Sequence, residues 1–205
     1  MSTRCLIKLC EYPEIAQQLR EEMTAVLKAD GWAKTSLYKM KLLDSFLKEV
    51  SRVCRTGHTT MGRYVKSPVT LSNGAILPAN SLIPVVDDRP LDSSYYPDPE
   101  TFDAHRYLKL RSQPGHENLH QFVALSTDNM LFGHGQHACP GRFFASNQIK
   151  ILLCFLLLKY DWRFAPGYEV PKDTEVEQQV NTPMHLEVQA RRMEGEIDLL
   201  EPKEV

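Results

Sequence analysis

No stretch of this chain stays apolar for long. The longest uninterrupted apolar run is Ile151–Leu158, far short of the roughly 20 residues that a membrane-spanning helix needs. Residues 1–8 lack the apolar core of a signal peptide. No membrane span is therefore expected in this chain, and an intracellular setting is. An excess of one charge is missing too. There are 24 Lys+Arg against 26 Asp+Glu, so no basic field exists to hold nucleic acid. Cysteine is sparse, with five residues and no Cys-x-x-Cys pair, which argues against a disulfide framework and for reduced thiols. No internal repeat or low-complexity tract stands out. What remains is a chain of 205 residues, enough for one domain over 1–205.

One stretch then commands the reading: Phe132-Gly133-His134-Gly135-Gln136-His137-Ala138-Cys139-Pro140-Gly141-Arg142. Its single cysteine has Gly135 before it and Gly141 after it. Glycines let the backbone turn sharply and leave room for a flat ligand to approach. Pro140 suits the first turn of a helix, where its missing N–H costs nothing, and a long apolar helical pattern follows. Cys139 should thus stand at a helix N-terminus, whose partial positive charge favours thiolate over thiol. Two plainer readings compete. A lone cysteine is usually a small buried hydrophobe. Alternatively, His134, His137 and Cys139 could bind zinc in an interaction module, although structural zinc takes four ligands and no fourth is near in sequence.

The stretch resembles the haem loop of the cytochrome P-450 family, in which Phe, Gly, Arg or His, Cys and Gly recur at fixed offsets. Phe132, Gly135, His137, Cys139 and Gly141 match every fixed position. The resemblance implies that Cys139 is the axial ligand to the iron of haem b (iron protoporphyrin IX). Such a thiolate pushes electron density onto the metal and favours O–O cleavage. It further implies that Phe132 shields the ligand face and that His137 hydrogen-bonds a haem propionate. Many members carry Arg there, and a titratable His makes that bond more sensitive to pH.

Upstream, residues 4–12 read as the tail of a helix. Pro13 opens a second, with Ile15, Leu19, Met23, Val26 and Leu27 on one face and Gly31 closing it. Residues 42–53 form a third, and there Glu49 and Arg52 project from one side. Alone, Glu-x-x-Arg is weak evidence. In the family, however, such a helix precedes the haem loop, and Arg106 stands where the third member of a Glu-Arg-Arg cluster is found. By resemblance Glu49, Arg52 and Arg106 form a structural cluster that locks the helix to the loop supporting the cysteine. Arg63 falls where a propionate-binding Arg is usual, and His58, Thr59, Thr60 and Met61 are pocket-lining candidates in what otherwise reads as a polar loop. A hairpin around Asn73-Gly74 leads into a third strand at 81–86. Pro90 departs from the family, whose members commonly carry His there. Residues 108–130 read as irregular, 143–160 as a deeply buried helix, 162–164 and 184–191 as strands, and 193–205 as a disordered acidic tail.

The resemblance covers residues 4 to about 192 but corresponds only to the C-terminal haem-binding portion of a full member. The expected fold is therefore α+β, mainly helical, with small antiparallel sheets. The N-terminal anchor and the distal helix with its oxygen-activating motif are expected to be absent from this chain, so no catalytic residue is identified. The haem would then be open on its far face, and apolar helix faces would lack partners. The implied activity is that of a monooxygenase, inserting one atom of dioxygen into a small lipophilic substrate with electrons from an NADPH-dependent cytochrome reductase. Residues around Cys139 look most like fungal members from secondary metabolism, and full-length relatives sit at the endoplasmic reticulum membrane. A truncated, non-catalytic haem-binding remnant and a zinc-stabilised interaction module remain the alternatives.

Overall fold

The computed structural model describes residues 1–194. Helix α1 (Ser2–Glu11) stops at Tyr12, whose backbone leaves helical geometry at φ −126° and ψ 72°. Pro13 then opens α2 (Pro13–Asp30) at a position where no N–H is needed. Gly31, at φ 66°, ends α2. A short α3 (Lys34–Lys39), which no apolar period announces, is fixed to that end by Ser36 Oγ donating to the Gly31 carbonyl at 2.8 Å. The Glu22 carboxylate accepts the main-chain N–H groups of Leu42 (2.7 Å) and Leu43 (2.9 Å) at the start of α4 (Lys41–Val53). It places an anion where a helix leaves donors unpaired.

Strand β1 (Thr59–Tyr64) replaces the polar loop expected after α4, and it pairs antiparallel with β4 (Leu82–Val86) across an irregularity between Thr60 and Arg63. The Asn73-Gly74 hairpin is present as β2 (Val69–Thr70) and β3 (Ile76–Leu77), with Gly74 at φ 85°. The strand that follows it joins β1 rather than the hairpin, because Asn80 turns the chain at φ 64° and donates to the Val65 carbonyl. Helix α5 (Arg106–Arg111) occupies the start of the segment read as irregular.

Helix α6 (Arg142–Lys159) runs directly into β5 (Tyr160–Arg163), which pairs with β8 (Gln189–Arg192). The alternating residues 184–188 find no ladder: β5 offers only four residues and β8 takes them all. Between lies a hairpin of β6 (Thr174–Val176) and β7 (Gln179–Asn181). Of the expected acidic tail, residues 195–205 lie outside the described residues.

The core sits between α2, α4 and α6, where Leu19, Met23, Leu43, Phe46, Leu47, Leu153 and Leu157 are wholly buried. Each such side chain contributes roughly 1.5–3 kcal/mol. Arg4 ties α1 to the hairpin of β6 and β7. This buried guanidinium donates to Thr182 Oγ1 (2.8 Å), to the carbonyls of Val180 (3.0 Å) and Arg55, and pairs with Asp173 at 3.1 Å. The hairpin is thereby held against the segment that leaves α4. Gly57 is required there, since a Cβ would come within 2.7 Å of the Gln178 carbonyl oxygen.

Candidate functional site

The cysteine loop is closed by its own backbone. Gly133 N–H donates to the Met130 carbonyl (2.8 Å), Ala138 N–H to Gly135 (3.1 Å) and Cys139 N–H to Phe132 (2.8 Å). Gly133 and Gly135 adopt φ 71° and 66°, a region that side-chain-bearing residues rarely enter. A 3₁₀ turn at Gly135–His137 follows, and α6 begins three residues beyond Cys139. Cys139 is exposed rather than buried as a small hydrophobe. A Cβ at Gly141 would lie 4.0 Å from the sulfur, no closer than an ordinary van der Waals contact. Arg142 donates to the Cys139 carbonyl at 2.9 Å and lies over the Phe143 ring.

Phe132 is half-buried beneath the loop, edge-on to Phe122 with ring centroids 5.3 Å apart. His137 is exposed on the 3₁₀ turn. Arg63 is exposed on β1 and donates to the Gly62 carbonyl at 2.9 Å. Met61 has a positive φ of 49° at the β1 irregularity, and its Cγ lies 3.8 Å from where a Gly133 Cβ would be. Strand β1 therefore reaches the cysteine loop through Met61. Two of the other pocket-lining candidates face the hairpin instead: Thr59 Oγ1 bonds Gln178 Oε1 (2.8 Å), and His58 lies 3.4 Å from Glu175, while Thr60 pairs with Val85 of β4. Among the described residues no three His, Cys, Asp or Glu side chains come together in a way that could hold a metal ion. His134, His137 and Cys139 thus do not form the set that zinc would need.

Glu49, Arg52 and Arg106 do converge. Arg52 grips Glu49 with Nε and Nη2, both at 2.8 Å, and neither side chain is exposed at all. Arg106 Nε reaches Glu49 Oε1 at 3.1 Å, and Asp103 N–H donates to the same oxygen at 3.0 Å. The other protons of Arg52 go to the carbonyls of Pro90, Pro99 and Thr101, and Arg106 donates to those of Pro97, Asp98 and Thr101. Glu49 thus meets two guanidinium groups, and the wholly buried one, Arg52, has every N–H engaged, the condition under which a buried charge is tolerated. Pro90, the departure from the family pattern, contributes its carbonyl at 2.7 Å.

A second buried cluster was not anticipated from the sequence. Asp44 accepts from Lys150 Nζ (2.6 Å), Arg111 Nη1 (3.1 Å) and the Phe122 N–H (2.9 Å). It binds α4 to α5, to α6 and to the residue that packs on Phe132. Lys48, one turn on, donates to the Gln121 carbonyl at 3.0 Å, and burial brings its amine down to about 8. On the other side of α6, Phe144, Ile151 and Leu152 recur at helical spacing and are 73%, 39% and 41% exposed. Among the described residues no helix is long and apolar enough to cross a membrane.

Comparison with known proteins is consistent across sequence and fold. The family model described as Cytochrome P450 matches residues 2–189. The chain is 47% identical over 202 residues to cytochrome P450 monooxygenase bsc11 of Alternaria brassicicola, covering 98% of this chain and 39% of that one. It is 48% identical to cytochrome P450 monooxygenase bsc2 of the same organism, covering 96% and 38%. With cytochrome P450 monooxygenase ntnM of Nectria sp. the figures are 46%, 80% and 32%. The chain therefore spans about two fifths of the first two relatives. Among solved structures, a retinoic acid-bound cyanobacterial CYP120A1 superposes with a TM-score of 0.71 at 23% identity, covering 94% of this chain and 42% of that one. That likeness is one of fold.

Proposed function

Since this chain belongs to the cytochrome P450 family, we propose that it is the haem-binding portion of a monooxygenase in which Cys139 would supply the thiolate that holds the iron of haem b. The single observation carrying this is the exposed sulfur of Cys139, set between Gly135 and Gly141 just ahead of α6. The donor suits the group. A thiolate is the ligand type for such an iron, and the approach to the sulfur is free of neighbouring side-chain carbons at Gly141. Phe132 covers the buried side of the loop, and His137 and Arg63 are exposed donors for the propionates. The Glu49–Arg52–Arg106 cluster ties α4 to residues 90–106, and Asp44 on the same helix holds the Phe122 main chain that packs on Phe132.

When bound, the haem supplies the oxygen chemistry: one atom of dioxygen goes to a substrate C–H bond and the other leaves as water, consuming two electrons and two protons. The chain's part is to ligate, orient and screen. Cys139 lies three residues ahead of α6, and Arg142 at the start of that helix donates to its carbonyl. We assign none of its residues to dioxygen activation. The electrons come from an NADPH-dependent flavoprotein reductase and the substrate is a small lipophilic secondary metabolite. The full-length enzyme is placed at the endoplasmic reticulum membrane.

A second reading, a haem-binding polypeptide without turnover of its own, is favoured by the uncovered apolar residues of α6. Reconstitution with haem decides between them. The reduced carbon monoxide complex should show a thiolate-ligated Soret band that Cys139→Ser abolishes. An unchanged band in that variant overturns the assignment. Sustained hydroxylation with reductase and NADPH selects the first reading, and the band without turnover selects the second.

A further inference from the structure

A cavity of about 410 Å³ lies between α3, α4, α5 and α6, and it is lined by none of the residues assigned to haem. Its size falls within the range of small-molecule sites, roughly 300–1,000 Å³. Leu37, Val123 and Phe143 supply apolar wall. Its charged lining is unbalanced: Lys34, Arg111 and Lys150 face it, with Asp44 the sole acidic group among its lining residues.

Arg111 and Lys150 are buried, at 5% and 4% exposure, yet neither is saturated. Arg111 donates through Nη1 to Asp44 and through Nε to the Glu117 carbonyl at 3.4 Å, leaving Nη2 without a partner among the described residues. Lys150 has two acceptors, Asp44 Oδ1 and the Leu37 carbonyl, for three N–H bonds. The Asp44 oxygens are already taken by Lys150, Arg111 and the Phe122 N–H. The unused Nη2 of Arg111 is not sealed from solvent, so it is open to an anion that enters the cavity.

We propose that this cavity binds an amphipathic carboxylate, its head on Arg111 and Lys150 and its apolar body along Leu37, Val123 and Phe143. The site is independent of haem, so its test does not rest on the function proposed above. Lys34, exposed on α3, adds attraction at the mouth.

Titration calorimetry of the purified chain with decanoate, below its micellar range, is compared with 1-decanol and decyltrimethylammonium. The exposed face of α6 would take up all three tails alike, so discrimination between heads is the readout. Decanoate should bind about tenfold tighter than 1-decanol or better, and the ammonium not detectably. Arg111→Gln should weaken decanoate about 10- to 100-fold. Because that change also strips a partner from Asp44, two further variants keep the test open. Asn147→Phe, which fills the cavity from α6, should abolish binding, and Lys34→Glu should weaken it about two- to fivefold. Equal affinity for decanoate and 1-decanol, or undiminished decanoate binding by Asn147→Phe, overturns the proposal.

Discussion

The main-chain N–H of Cys139 is held by the carbonyl of Phe132 at 2.8 Å, so the sulfur-bearing residue is anchored to the aromatic that begins its loop. That closure depends on two glycines with positive φ, Gly133 and Gly135. A Cβ at Gly133 would meet only ordinary contacts and one at Gly135 none. Their substitution should therefore cost backbone strain rather than a clash. Gly133→Ala and Gly135→Ala should each lower stability by about 1–2 kcal/mol. Chemical denaturation measures the loss, and an unchanged midpoint would show that the loop tolerates another path.

Removing the charge of Glu49 should be far more damaging. Arg52 is wholly buried and Arg106 is nearly so, so Glu49→Gln leaves two guanidinium groups facing a neutral amide. The expected cost is about 3–5 kcal/mol, the range for breaking a buried ion pair from one side. Arg52→Lys should not rescue the fold, because an ammonium lacks the fork that engages Glu49 and three carbonyls at once. Urea midpoints of both variants check this.

How legible these features were depends on where their partners lie. Glu49 and Arg52 are three apart on one helix, and the cysteine loop packs its chemistry into eleven consecutive residues, so both could be read from local spacing. Arg106 was reachable only through family resemblance. Asp44 was not reachable at all: its partners Arg111, Phe122 and Lys150 are 67, 78 and 106 residues away. Strand β1 was hidden for a different reason. Its residues Thr59–Tyr64 do not alternate, and the register breaks between Thr60 and Arg63. Conversely, residues 184–188 alternate without a strand to pair with.

Lys48 should make stability depend on pH in an unusual direction. Burial lowers its pKa from 10.5 to about 8 in the folded chain. Between those values the unfolded chain holds the proton and the native one releases it, so stability rises with pH across that window, by roughly 3 kcal/mol in total. Cys5 and Cys154 act oppositely above their ordinary value of 9.0, since burial raises each thiol to about 12. The comparison must therefore be with Lys48→Met. The stability of the parent relative to that variant should climb from pH 8 to 10.5, and a flat difference would show that the amine is not desolvated.

Gly57→Ala should act by crowding rather than by removing a charge. Its Cβ would press on the Gln178 carbonyl oxygen at 2.7 Å, a main-chain atom that cannot swing aside, so the hairpin of β6 and β7 must move. A loss of about 1–3 kcal/mol is expected, together with faster proteolysis within 174–181. Unaltered cleavage of that hairpin would count against the packing described here.

The guanidinium of Arg4 finds its partners at Asp173, Val180 and Thr182. Contacts between residues so far apart in sequence are slow to find one another during folding. Helix α1 therefore reaches its final seat only when the hairpin of β6 and β7 has docked, with the Arg55 carbonyl as the one nearer acceptor.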